Sequence, residues 1–370
     1  MKDELLEELL RLSKSSIKAL ELKDKTVVRV NKDMVIEARE LLKENDKLYT
    51  LGVKNTEQIE RSLIKKLVDS KKYLWHTIDG MSDGGRAIDI NIINPLTGRC
   101  MTGSSSCSAV NVLYGVNDLG IGTDGGGSVL APALSLNLFS IMAKGIGLKG
   151  LTNRVSTDGI NFVPGIGVIS HSFVLAEAAV KEMTGLNQEE DYKTLKVAIC
   201  KKQNIKLPEG SDMREKLNLV YDRLNDLGIK VFEEEFPNFN TREEAINKTQ
   251  ELFKTYEVLI TYEGPMDLLG FGDSVFGGFG SLAAEFQQSA GKYMIKIANM
   301  VNATAVTIPS SDIASGIVIT AREGIKEGLG AIALAKKLSD LYKLPELYYK
   351  YFKDSYRRKE SDIIFSVKGV

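Results

Sequence analysis

Over the first 70 residues, apolar positions recur at helical spacing. Residues 4–20 (ELLEELLRLSKSSIKAL) carry leucines on one face and predict an amphipathic helix. Residues 26–30 (TVVRV) predict a short strand and 34–43 a second helix. Asn55 or Thr56 can cap a third, running to about Val68, with Ile59, Leu63, Ile64, Leu67 and Val68 on one face. From residue 195 the chain alternates. Strands are predicted at 195–200, 229–232, 257–261 and 303–309, and helices at 212–227, 243–254 and 326–341. Gly228 is the expected stop of the first of these helices. Such alternation predicts an α/β fold with a sheet that is at least partly parallel. No repeat or linker divides the chain, so a single domain is expected over 1–370. Its parts are an N-terminal helix within 1–25, a Gly/Ser-rich core at 94–150 and a C-terminal extension at 342–370.

Composition removes several classes of function. The 370 residues carry 48 Lys+Arg against 49 Asp+Glu, a net charge of −1. With no cationic excess, neither nucleic acid nor an acidic membrane is expected as the main partner. Three cysteines, Cys100, Cys107 and Cys200, do not make a disulfide framework. The charged start MKDELLEELL lacks the apolar core of a signal peptide, and no run approaches the ~18 apolar residues of a membrane span. A cytoplasmic protein is expected. Only two histidines occur, His76 and His171, so a His-based zinc site or an HExxH helix is not available. No GxSxG is present, and a nucleophile elbow of that kind is not indicated.

The chemistry concentrates in two phrases, TGSSSCSA at 102–109 and GIGTDGGGS at 120–128. Gly125, Gly126 and Gly127 expose backbone amides that can converge on a developing oxyanion, and Ser128 follows, placed to attack the carbon bearing that oxygen. Thr123 and Asp124 can brace the turn through side-chain to backbone hydrogen bonds. A serine hydroxyl needs a base. Without a neighbouring histidine, a second serine as relay and a neutral lysine are the natural candidates, since burial lowers a lysine's pKa. The plainer alternative is a glycine-rich turn with a solvated serine.

These phrases resemble the amidase signature family, the Ser–cisSer–Lys amidohydrolases. The family core reads roughly GGSSGGSA, then GTDxGGSIRxPA, then GLKP. Here the matching phrases are TGSSSCSA, GTDGGGSVLAPA and GLKG, and Ser104 and Ser128 lie 24 residues apart, as the family's two serines do. NRVS at 153–156 and YEVLITY at 256–262 extend the likeness downstream. The resemblance implies a twisted mixed sheet covered by helices on both faces. It implies Ser128 as nucleophile, Ser104 as the relay serine after a cis peptide bond, and Gly125–Gly127 as the oxyanion hole, with Ser105, Thr123 and Asp124 in support. The lysine is matched to Lys32 in VRVNKD, 72 residues before Ser104. Lys54 in LGVKN is the competitor, set aside because it sits so much closer to Ser104.

The implied reaction is hydrolysis of a small-molecule carboxamide through a serine acyl-enzyme, with no metal or other cofactor. No nucleic acid or membrane partner is implied, and a homodimer is allowed. Three alternatives stand beside it: acyl transfer from the same acyl-enzyme, a catalytically inactive binding or assembly protein, and a thiol enzyme built on Cys107. The departures feed the second. Ser106-Cys107 stands where the family has two glycines, and Leu130 where it has arginine. These side chains are expected to narrow the pocket or refold its loop. Phe271, Phe276 and Phe279, in the Gly- and Phe-rich stretch 264–281, suggest an apolar pocket or a lid.

Overall fold

An eleven-stranded mixed sheet runs through the protein in the computed structural model, which describes residues 2–188 and 190–354. In chain order the strands are β1 (Val27–Val30), β2 (Tyr49–Lys54), β3 (Tyr73–Asp79), β4 (Ile88–Ile93), β5 (Cys100–Thr102), β6 (Leu119–Asp124), β7 (Phe139–Ala143), β8 (Arg154–Val155), β9 (Asn161–Phe162), β10 (Gly165–Ser170), β11 (Val197–Cys200), β12 (Val231–Glu234), β13 (Val258–Glu263), β14 (Thr304–Pro309) and β15 (Gly316–Ala321). The main sheet has the order β1-β3-β2-β6-β10-β7-β14-β15-β13-β11-β12, while β4–β5 and β8–β9 are separate ribbons. Strands β3, β2 and β6 run parallel to one another, as do β13, β11 and β12. All other neighbours in the sheet are antiparallel. The expected α/β class is observed.

Strand composition explains the layering. β13 (VLITYE), β14 (TAVTIP) and β15 (GIVITA) are buried at every position, which is the pattern of strands covered on both faces. Early helices α1 (Lys2–Glu21) and α2 (Met34–Leu41) follow the amphipathic pattern read from the sequence, while α3 (Arg61–Asp69) starts after Glu60 rather than at a cap by Asn55 or Thr56, so that Ile59 precedes it, Ile64 and Leu67 are buried and Val68 is exposed. The helix expected over 212–227 is two short ones, Met213–Lys216 and Asn218–Asp226, meeting at Leu217. Its partner in the last third spans Ile325–Leu338 and packs on β14 and β15.

Two helices of another kind serve the site. α4 (Ser106–Leu113) and α5 (Leu130–Ser135) are buried at every residue. A helix buried all round lies inside the core rather than on it. α4 begins inside the first Gly/Ser phrase and α5 just after the second. Downstream, α6 (Phe173–Thr184) covers β7 and β10. The beginning of the expected C-terminal extension folds back: Tyr348 is buried and its hydroxyl donates to Leu136 O at 2.9 Å. Residues 355–370 of that extension lie outside the described residues. No helix among the described residues is long and apolar enough to cross a membrane.

Glycines in β6 let α4 lie close. A Cβ on Gly120 would stand 3.0 Å from Ser108 O, and one on Gly122 only 2.4 Å from Ser105 Oγ and 3.1 Å from Val129 Cγ2. Leu119 and Ile121, which alternate with them, are fully buried in the core. Gly122→Ala should therefore overpack this contact and cost about 1–3 kcal/mol. A lowered urea midpoint at unchanged slope is the expected result.

Candidate active site

Three parallel strands bring their C-terminal ends to one edge of the sheet. β2 ends at Lys54, β3 at Asp79 and β6 at Asp124, and Lys54 pairs in register with Asp79. Gly52 makes this possible, because a Cβ there would stand 2.2 Å from Asp79 Oδ2 and 2.3 Å from Asn117 Nδ2. Lys54 is only 3% exposed. Its Nζ lies 2.7 Å from Ser104 Oγ and 3.1 Å from Thr123 Oγ1. Burial pushes the Lys54 ammonium down to about 7; the Asp124 carboxylate opposes this, and the Arg154 guanidinium adds to it.

Ser104 follows a cis peptide bond from Gly103. Gly103 is hemmed in, since a Cβ would stand 2.5 Å from Arg86 O. Its amide donates to Ala87 O at 2.7 Å, and Ser82 N donates to Ser104 O at 3.3 Å. The two Gly/Ser phrases are then tied together directly: Ser105 N donates to Ser128 O at 3.1 Å.

Asp124 shapes the second phrase. Its buried carboxylate accepts from Gly127 N at 2.8 Å, Val129 N at 2.7 Å and Leu130 N at 3.2 Å. The chain thus wraps around one side chain and holds Ser128 between fixed neighbours. Burial raises the Asp124 pKa, while these three amides and Lys54 hold it back. Ser128 is half-buried, and its hydroxyl has no hydrogen-bond partner among the described residues. The amides of Gly125 and Gly126 make no bond within the loop, whereas that of Gly127 is occupied by Asp124. Gly125 and Gly126 are thus the available pair, and the expectation that the Gly127 amide joins them is corrected.

Lys54, Ser104, Thr123, Asp124, Gly125, Gly126 and Ser128 line one cavity of about 470 Å³. Lys32 does not reach it. It sits exposed in a turn just beyond β1, whose antiparallel run on β3 goes from Val27 opposite Asp79 to Val30 opposite Thr77, and Asn31 N then reaches His76 O. Each step carries the chain away from the end where Ser104 lies. The lysine beside Ser104 is Lys54, and the expectation for Lys32 is corrected accordingly.

Other departures are absorbed away from the cavity. Ser106 Oγ donates to the buried Asp89 at 2.5 Å, and Cys107 abuts Gly80. Neither lines the pocket, so they do not narrow it. Burial, with Asp89 adding to it, pushes the Cys107 thiol up to about 12, which leaves no thiolate at neutral pH. Leu130 is fully buried. Phe271, Phe276 and Phe286 pack on one another with ring centroids 5.3–6.2 Å apart, and Phe279 is 76% exposed. The pocket wall from this stretch is Asp273, Ser274 and Val275 instead. Three arginines not singled out from the sequence, Arg86, Arg154 and Arg242, complete the wall. His76 is fully buried and hydrogen-bonds Val116 O through Nδ1, a structural role.

A lysine whose pKa falls from 10.5 to about 7 on folding is a stability cost. The unfolded chain holds the proton up to about 10.5, so the cost is full below pH 7 and fades as pH rises between the two values. Lys54→Met should stabilise the protein at pH 7 by about 3 kcal/mol net of lost hydrogen bonds. That gain should shrink toward pH 10, as followed by urea denaturation across pH.

No family model matches the sequence, and no curated protein matches it. Solved structures do. An amidase crystal structure is similar at a TM-score of 0.59 and 14% identity, over 92% of this chain and 100% of that one. A variant of the Kluyveromyces lactis allophanate hydrolase gives 0.58 at 16% identity, over 85% of this chain and 66% of that one. A 6-aminohexanoate cyclic dimer hydrolase with bound substrate gives 0.60 at 12% identity, over 91% and 95%. The fold is therefore that of the amidase signature enzymes.

Proposed function

We propose that this chain, with the fold of the amidase signature enzymes, hydrolyses the C–N bond of small carboxamides through a serine acyl-enzyme. The observation that carries this reading is the buried Lys54 Nζ at 2.7 Å from Ser104 Oγ, in the same cavity as Ser128. Burial keeps much of Lys54 neutral near pH 7, so it can serve as a base.

Ser128 Oγ attacks the carbonyl carbon and passes its proton to Ser104 Oγ, whose own proton goes to Lys54 Nζ. The carbonyl oxygen becomes an oxyanion facing the free amides of Gly125 and Gly126. Collapse breaks the C–N bond, and the proton returns from Lys54 through Ser104 to the leaving nitrogen. Water then attacks the ester by the same relay, releasing the acid and restoring Ser128. Thr123 holds Lys54 toward Ser104, and Asp124 holds the loop that presents Ser128. A cavity of about 470 Å³ suits a small substrate.

Intact-mass labelling with a fluorophosphonate tests the nucleophile. One adduct is expected on the wild type, none on Ser128→Ala, a rate slowed by about 10²-fold or more in Lys54→Ala, and no change in Lys32→Ala. A folded wild type that takes no adduct overturns the reading. The pH profile tests the base. Because Lys54 works only when neutral, the labelling rate should rise about tenfold per pH unit below about 7 and level off above it.

A further inference from the structure

We propose that Arg154 is an anion anchor in this cavity and that the amide substrate carries a carboxylate; the substrate part of this rests on the amidohydrolase reading above. Three guanidinium groups stand on the cavity wall, and two are already neutralised. Arg86 Nε lies 2.9 Å from Asp273 Oδ2, and Arg242 Nη1 lies 2.8 Å from Asp158 Oδ1. The Arg154 side chain, exposed at the mouth of the cavity, has no carboxylate within ion-pair distance and no hydrogen bond among the described residues. The remaining carboxylate that lines the cavity, Asp124, accepts from three backbone amides. One positive charge in the cavity is left uncompensated.

The ribbon that carries it is packed against the loop of the free amides. Arg154 pairs with Phe162 across the β8–β9 ribbon, and the Phe162 ring lies against Gly125, where a Cβ would stand 2.5 Å from it. The ribbon that carries the guanidinium therefore packs on the loop that carries the free amides. Arg154 is also close enough to Lys54 to depress its pKa. A guanidinium presents two parallel N–H groups, which match a carboxylate edge. The favoured substrate class is then a short dicarboxylic acid with one end as the amide and the other as the free carboxylate.

Calorimetric titration of full-length Ser128→Ala with succinamate and glutaramate, against neutral succinamide and glutaramide at pH 8, reads this directly without turnover. The anions should bind at least tenfold tighter than the neutral diamides. Arg154→Gln in the same background should abolish the preference, and Arg154→Lys should keep part of it. Equal affinities, a preference that survives Arg154→Gln, or no binding of any of the four overturns the proposal. Fluorophosphonate labelling of the wild type reports the underlying reading separately. Labelling without an anion preference overturns only the anchor, and an anion preference without labelling overturns only the amidohydrolase.

Discussion

The contact between Lys54 and Ser104 is the constraint around which the site is arranged. A lysine amine in the interior is tolerated only where something shields it from water and gives it hydrogen-bond acceptors. Both come from topology. Three parallel strands end side by side, so Lys54 is closed in by β3 and β6. Ser104 and Thr123 supply the acceptors. The glycines that look like loop residues in the sequence are the spaces this arrangement needs. Gly52 makes room for Asp79 and Asn117, Gly122 for Ser105, and Gly103 for the carbonyl of Arg86.

Asp124 does for the Ser128 loop what Lys54 does for Ser104. One carboxylate gathers three amides, and the turn at 124–130 has little freedom left. It also divides the amides between two tasks. Those of Gly127, Val129 and Leu130 hold the loop, while those of Gly125 and Gly126 remain for a ligand. The backbone bond from Ser105 to Ser128 couples the two phrases, so neither serine moves without the other.

Much of this was legible in the sequence, and the part that was not has a physical reason. That Ser104, Ser128, Gly125 and Gly126 come together is readable because short runs of Gly and Ser encode backbone shape locally, whereas the capture of the Gly127 amide by Asp124 is not. Asp124 as a brace follows from the same local logic, as does the sheet class from the alternation after residue 195. Lys54 is hard to read from sequence because a lysine's surroundings depend on burial, and burial comes from strands far away in the chain. Lys32 lay in a phrase of the right shape at the expected distance, yet its strand runs the wrong way along β3. Lys54 is only 50 residues before Ser104, a shorter connection than the resemblance implied. The three arginines were invisible for a similar reason: which of them is left unpaired depends on Asp273 and Asp158, each distant in sequence from its partner.

The departures at Ser106, Cys107 and Leu130 leave the cavity as it is. Ser106 turns to Asp89, Cys107 to Gly80 and Leu130 to the core, so each serves packing and none enters the cavity. Replacing Lys54 by an apolar side chain would remove a desolvation cost that nothing else in the fold requires. Features that are expensive to keep and unhelpful to stability are characteristic of sites under functional demand. The buried lysine, with the relay serine beside it and two unused amides nearby, forms one such set. Its members come from β2, the phrase leading into α4 and the loop after β6, and they meet in one cavity.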